Sequence, residues 1–324
     1  MKSIIALLIT LSAFQQIHAR QYPTDTIPSE KWQSAKDNLQ YNIVRGDNGK
    51  KLRYGNYMQM HIKQVYSGIT DTVLMDSRDN WPRTQVFDSV ATPLPYYYIL
   101  RQLRTGDSLT IRLLTEHAFK DSPTTMPDFM KKGHYLYTFV KLLNIFESTK
   151  AADSANTAEI KIARPRVYAA QVTAVENNIA ENKNKIEADG KLIEAYLLRN
   201  KINAQKTKWG TYVVVTKEGT GKQVDNNCLV KVNYTGKIMK TGKVIDSNTM
   251  PAFEHVTPME VDMSELSAVI LGFYDGILQL KKGARATLYI PSTLGYGTAG
   301  MGEKIKANEI LMFDIKVLTV EDLK

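Results

Sequence analysis

The chain of 324 residues has a single cysteine, Cys228. No internal disulfide can form, so packing alone must hold the fold together. Cys228 lies beside Leu229 and Val230 in a strand-like run and reads as a small buried residue rather than a nucleophile. Long hydrophobic runs are also missing: past the N-terminus no segment reaches the roughly 18 consecutive apolar residues of a membrane span. Histidines number five, and no zinc-type ligand spacing occurs, so no metal is expected. No phosphate loop and no Ser–His–Asp order stands out. Gly295-Tyr296-Gly297 is not a nucleotide loop, since no helix pattern follows it. Neither a cofactor nor a covalent intermediate is implied.

The formal charge is +9, yet residues 205–324 carry 15 Lys/Arg against 13 Asp/Glu, only +2 of that excess. The rest is spread over the earlier part of the chain, with no basic run interleaved with aromatics, so nucleic-acid binding is not expected. The N-terminus has a different character. Lys2, the apolar run Ile4 to Phe14 broken only by Thr10 and Ser12, and the small Ala19 form a secretory signal pattern over residues 1–19. The expectation is an exported protein, periplasmic or secreted, soluble, with no integral membrane span and no cysteine in that segment to carry a lipid. Residues 20–42 read as a polar leader with a short helical piece.

From about Gly55 the pattern turns strand-like. Asn56–Val65, Thr72–Met75, Ser108–Leu114 and Tyr135–Phe146 are strand candidates, with a helix near Tyr96–Leu103. Residues 148–204 are rich in Ala, Asn, Glu and Lys, and Pro165 suits the first turn of a helix. Val172, Ile179, Ile186 and Ile193 recur every seven residues, but Val175, Asn182, Asp189 and Tyr196 leave half of the seam polar, and Gly190 weakens it. Helices packing on their own chain fit this better than a coiled coil, with a homodimer through 165–200 as the minor alternative. Strand patterns return at Tyr212–Thr216, Leu229–Tyr234, Ala286–Ile290 and Ile310–Val320, with a hairpin turn at Lys240–Lys243 and one helix over Gly272–Leu280.

The two strand-rich regions echo each other. Tyr66-Ser67-Gly68 with Met75-Asp76-Ser77 parallels Tyr234-Thr235-Gly236 with Ile245-Asp246-Ser247. Ile99 to Leu103 with Gly106 parallels Ile277 to Leu280 with Gly283, and Val140 to Leu143 parallels Ile315 to Leu318. Three echoes in one order argue for a duplicated domain.

Six motifs follow in order through the second region: Val232-Asn233-Tyr234-Thr235-Gly236, Gly242 to Ser247, Ala268-Val269-Ile270-Leu271-Gly272-Phe273, Leu280 with Gly283, Ile290-Pro291 with Gly295-Tyr296-Gly297, and Leu311-Met312-Phe313-Asp314-Ile315. In this arrangement residues 209–324 resemble an FKBP-type peptidyl-prolyl isomerase domain. The resemblance implies an α+β fold of two FKBP-like domains, each a half-wrapped antiparallel sheet around one short helix. The first would be a degenerate copy at 43–147 and the second an isomerase domain at 205–324, joined by a helical connector at 148–204. Proline-containing polypeptides would be the clients.

The resemblance also implies roles. Phe273 would be the floor under the proline ring, where most relatives carry Trp, and Tyr234 and Phe313 its walls. Val269 and Ile270 would line the rim, with the Ile270 N–H binding a substrate carbonyl. Tyr296 would offer its hydroxyl to the carbonyl before proline, and Asp246 would face that carbonyl and hold the polar network. Ile245 and Ile305 would also touch substrate. Singly these residues have plainer readings: strand aromatics as core, Asp246 beside Ser247 as a turn. Departures exist: Ile245 replaces the usual Phe, and Ile305-Lys306-Ala307-Asn308 replaces I-P-x-N. These motivate the alternative of a weak or inactive chaperone-like scaffold. Between Asn248 and Leu266 the register is open. Phe253, Val261 and Met263 compete for a wall position, and His255 reads as an ordinary loop histidine.

Overall fold

A computed structural model describes residues 31–46, 49–120 and 126–323. Residues 1–19, read above as a secretory signal, lie outside the described residues. Two compact units divide between Val167 and Tyr168.

The first unit contains β1 (Gln33–Ser34), β2 (Gln40–Val44), β3 (Tyr57–Ser67), β4 (Thr72–Asp76), β5 (Arg83–Val86), α1 (Leu94–Leu100), β6 (Ser108–Leu114), α2 (Thr115–Ala118) and β7 (Tyr135–Phe146), then the start of α3 (Thr149–Glu181). The second contains the rest of α3, α4 (Lys183–Arg199), β8 (Gln205–Lys206), β9 (Tyr212–Lys217), β10 (Cys228–Ile238), β11 (Val244–Ser247), β12 (Met259–Asp262), α5 (Leu271–Ile277), β13 (Arg285–Ile290) and β14 (Leu311–Asp322). The sheet orders are β1-β2-β6-β7-β3-β4 with β5 also on β3, and β8-β9-β13-β14-β10-β11 with β12 also on β10. Every pair of neighbouring strands among the described residues is antiparallel. The two units thus repeat one α+β topology. Among the described residues no helix is long and apolar enough to cross a membrane.

The sequence logic is clearest in β10, where burial alternates along the whole strand. Cys228, Val230, Val232, Tyr234, Gly236 and Ile238 are buried, and the residues between them are less so. A strand of period two with one apolar face packs that face on the core and turns the other toward water. α5 crosses the inner face of the sheet at unusually short range. A Cβ on Gly272 would stand 2.3 Å from Ile290, and one on Gly276 would stand 2.4 Å from Leu288. Only glycine allows the helix to sit this low on β13.

Several expectations need correction. Pro165 lies inside α3 rather than at a helix start; the helix continues past it, although proline removes the bond to the carbonyl four residues earlier. β2 begins at Gln40, within the stretch read as a leader, because Leu39 and Tyr41 are buried apolar residues that a polar average conceals. The short strands β5 and β12 have too few residues to show a period, and no reading of the sequence anticipated them.

The apolar stripe of the helical segment is used inside the second unit. Val172 and Ile179 pack on its main core, Ile186 belongs to that core, and Ile193 is fully buried beside Tyr212 and Tyr289. Helix α4 runs through Gly190, where the Tyr212 hydroxyl comes close enough to leave little room for a Cβ. Asp189 is buried and accepts from the Ser292 N–H at 2.8 Å, the Ser292 hydroxyl at 2.6 Å and Lys185 Nζ at 2.6 Å. A seam residue that looks polar in sequence is therefore the anchor of α4 on the turn after β13. Replacing Asp189 with Ala strands two buried donors and should cost about 2 kcal/mol. Urea unfolding of the full chain followed by circular dichroism measures this, with Asp189→Asn expected to lose less.

Candidate functional site

The site forms where β10, β11, β14 and the start of α5 meet in the second unit. β10 and β14 pair over eleven positions, and this register sets Gly236 opposite Phe313. A Cβ at Gly236 would lie 2.6 Å from the Phe313 ring. The missing side chain lets that ring fold over the neighbouring strand rather than stand upright.

Three rings then converge. Phe273 and Phe313 meet edge to face at 5.3 Å, Tyr234 and Phe273 meet edge to face at 6.1 Å, and Tyr234 lies 6.1 Å from Phe313 at a tilt of 46°. Such pairs contribute about 0.5–1.5 kcal/mol each beyond burial. Exposure is 9% for Tyr234, 2% for Phe273 and 7% for Phe313, so the surface they form is apolar and nearly dry. Ile245 and Ile305 are buried in the same core, and Val269, Ile270 and Tyr296 pack on its edge, half-buried.

A polar rim borders the rings. The Tyr234 hydroxyl donates to Asp246 Oδ2 at 2.6 Å, and the Ser247 N–H donates to Oδ1 at 2.9 Å. Burial, and then the bond to Asp246, push the Tyr234 phenol well above its ordinary range. Burial, and then the Asp246 carboxylate, push Tyr296 up as well. Both phenols stay protonated and able to donate at neutral pH. Ile270 caps α5, its carbonyl taken by the N–H groups of Phe273 and Tyr274. Its own N–H has no hydrogen-bond partner among the described residues.

The structure therefore brings Tyr234, Asp246, Phe273 and Phe313 into direct contact. Tyr296 lies within electrostatic reach of both Tyr234 and Asp246. Ile245, Val269, Ile270 and Ile305 line the same core. Of the wall candidates, Val261 and Met263 are fully buried core residues, while Phe253 sits half-buried in a 3-10 turn.

Two residues gave no usable signal in the sequence. Asn248 is buried, accepts the Tyr234 N–H at 2.7 Å and donates to the carbonyls of Val232 and Thr257, fixing the backbone under the tyrosine. His255 contacts Asp246, with Nε2 3.0 Å from Oδ1, so it is not an idle loop residue. Polar side chains after a strand are common in turns, and nothing in their spacing distinguishes these.

The corresponding place in the first unit is built differently. Val232 faces Val317 just past a bulge, and Met60 faces Leu142 just past the matching bulge. Two residues further on stand Tyr234 in one copy and Ile62 in the other. The echo of Tyr66 with Tyr234 is therefore displaced by four residues, and Tyr66 packs with Phe119 and Met130 instead. Thr138 occupies the place of Phe313, opposite Gln64 and Ile111. Tyr96, third in α1, takes that of Phe273, its phenol pushed up to about 12 by burial. Met75, opposite Gln64, takes the place of Asp246, opposite Gly236, so the echo of Asp76 with Asp246 is displaced by one residue, and Asp76 pairs with Arg78 at 2.7 Å. This unit also has a cleft of about 340 Å³ lined by Tyr41, Pro95, Tyr98, Ile99 and Gln102, with no ring cluster of the second unit's kind.

Residues 220–318 match the family model for FKBP-type peptidyl-prolyl cis-trans isomerases. FK506-binding protein 2 of Kluyveromyces lactis is 33% identical over 111 residues, covering 34% of this chain and 76% of that relative. The probable FKBP-type peptidyl-prolyl cis-trans isomerase FkpA of Neisseria meningitidis is 33% identical over 168 residues, 50% of this chain and 59% of the relative. Among solved structures, FkpA of Escherichia coli aligns with a TM-score of 0.36 at 26% identity, covering 55% of this chain and 75% of that one. The chain belongs to the FKBP-type peptidyl-prolyl cis-trans isomerase family. It spans about three-fifths of the length of the FkpA-type relatives from Neisseria meningitidis and Buchnera aphidicola.

The tight pairing of Gly236 with Phe313 yields a direct check. Gly236→Val should push the Phe313 ring off the strand at a cost of about 1–3 kcal/mol. In NMR spectra the Tyr234 and Phe273 ring signals should shift, while those of Trp32 and Tyr137 in the first unit stay in place.

Proposed function

We propose that the second unit catalyses rotation about X–Pro peptide bonds in polypeptide clients. The observation that carries this reading is the convergence of Tyr234, Phe273 and Phe313 on one dry surface, rimmed by donors from Tyr296 and Ile270 and by Asp246. The uncatalysed rotation is slow because amide resonance is lost midway, at a barrier of roughly 18–20 kcal/mol. No bond breaks, so the site needs neither nucleophile nor metal. It has only to bind the twisted amide more tightly than the planar one, each 1.36 kcal/mol of that preference giving about tenfold in rate.

Each group then has a physical task. The proline ring lies against the three aromatic rings, and little ordered water has to leave such a surface. The twisted amide is less dipolar than the planar one and loses less on entering it. The Tyr296 hydroxyl donates to the carbonyl before proline, and the Ile270 N–H holds a second carbonyl of the chain. Asp246 faces the rotating carbonyl from the opposite side and fixes the Tyr234 hydroxyl. Ile245 replaces one aromatic wall with a smaller aliphatic one, which favours bulkier residues before proline.

The first unit, with Ile62, Tyr96 and Thr138 at the equivalent places, is proposed to have no isomerase activity. The signal pattern of residues 1–19 supports export, so the clients would be proteins folding outside the cytoplasm.

A protease-free isomerisation assay on the full chain tests the reading. Phe273→Ala, Phe313→Ala and Asp246→Ala should each lower kcat/KM about tenfold or more, and Tyr296→Phe by less. The equivalent change Tyr96→Ala should leave it intact. A macrolide immunophilin ligand should raise the melting temperature of the wild type but not of Phe273→Ala. A wild-type chain that folds and shows neither turnover nor ligand stabilisation contradicts the proposal.

A further inference from the structure

His255 follows Glu254, whose left-handed φ of +61° ends the 3-10 turn Pro251–Phe253. The imidazole sits between two oxygens. Nδ1 is 2.5 Å from the Phe253 carbonyl and Nε2 is 3.0 Å from Asp246 Oδ1. A carbonyl oxygen only accepts, and an ionised carboxylate only accepts. A neutral imidazole has one N–H and satisfies one of these oxygens, leaving the lone pair of its other nitrogen aimed at the second. The Tyr234 hydroxyl, 3.5 Å from Nε2, offers no escape, because its single proton is given to Asp246 Oδ2 at 2.6 Å. Only the imidazolium, with a proton on each nitrogen, satisfies the whole arrangement.

The groups around the ring agree. Asp246 of β11 faces it directly and Tyr234 of β10 stands behind that carboxylate. Tyr296, from the loop after β13, has its phenol raised by burial and then by the same Asp246 charge. Glu254, the preceding residue, is exposed and adds a second negative charge nearby. Among the described ion pairs, His255 is the cation that Asp246 has. We infer that His255 is a positioning residue: as an imidazolium it locks the Asp246 carboxylate, and through it the Tyr234 hydroxyl, in the orientation turnover requires. Losing one proton releases them. The clamp exists only while both ring nitrogens carry protons. The inference deepens the isomerase proposal and rests on it.

Two measurements on the full chain separate the clamp from the activity. In NMR of protein with 15N-labelled imidazoles, assigned by loss of a signal in His255→Gln, His255 should carry protons on both ring nitrogens at pH 5.5. Asp246→Asn should lower its titration midpoint, because the stabilising carboxylate is gone. A singly protonated His255 at pH 5.5, or a midpoint indifferent to Asp246→Asn, overturns the inference.

In the isomerase assay kcat/KM of the wild type should fall about three- to fivefold from pH 5.5 to 8.5, the modest factor expected of a half-exposed ion pair. His255→Gln should be flat at the low level, and His255→Arg, permanently charged, flat at the high one. A His255→Gln profile superimposable on the wild type overturns the positioning role. A wild type without turnover at any pH overturns the isomerase reading and the kinetic half of this inference together, and the NMR outcomes still decide whether the clamp exists.

Discussion

The site depends on one register: β10 against β14, with Gly236 directly opposite Phe313. An antiparallel ladder shifted by a single residue would turn every inward side chain of one strand outward. Held as it is, the ladder places Tyr234 and Phe313 on the same inner face, near enough to touch. The absent side chain at Gly236 then lets the Phe313 ring fold inward to meet Phe273. Phe273 reaches that point because Gly272 and Gly276 let α5 sink onto β13. Glycines at these positions set the separation of sheet and helix, and that separation sets the geometry of the three rings.

The first unit repeats the scaffold without the site. Its strand order, its short helix and its bulges match those of the second, yet Ile62, Tyr96 and Thr138 stand where Tyr234, Phe273 and Phe313 do. The topology is satisfied by alternating apolar residues of many kinds, whereas a converging aromatic cluster needs particular residues at three distant positions. A duplicated chain can therefore keep the one and lose the other. The strand after β3 illustrates the point: Met75 stands where Asp246 faces the rings, and Asp76, one residue on, closes a turn with the neighbouring Arg78.

Long strands were legible in the sequence because β3, β6, β7, β10 and β14 run 7 to 12 residues and are rich in apolar, β-branched and aromatic side chains, with β10 alternating in burial throughout, and motif order named residues that meet in the structure. What stayed hidden was short or dependent on register. β5 and β12 are four-residue strands, too brief to show a period. Tyr66 matched Tyr234 by local wording, and only the bulge-aligned pairing with β7 reveals that Ile62 holds that place. Pro165 carried a start signal that tertiary packing overrode. His255 and Asn248 were invisible for another reason: each is a lone polar residue whose partners come from separate strands and turns, and a single residue has no pattern. Asp189 looked like a flaw in an apolar seam until Ser292 supplied its partners.

The central claim is that proline rings are bound on the surface made by Tyr234, Phe273 and Phe313 and that the X–Pro bond turns there. Titrating the full chain with a short X–Pro peptide, while recording exchange spectra between its cis and trans forms, examines binding and rotation together. The account predicts shifts concentrated at those three rings and at the Ile270 amide, with cis–trans exchange peaks appearing at substoichiometric protein. Shifts centred on the cleft by Tyr41 and Tyr98, or binding at the rings without any exchange, would contradict it.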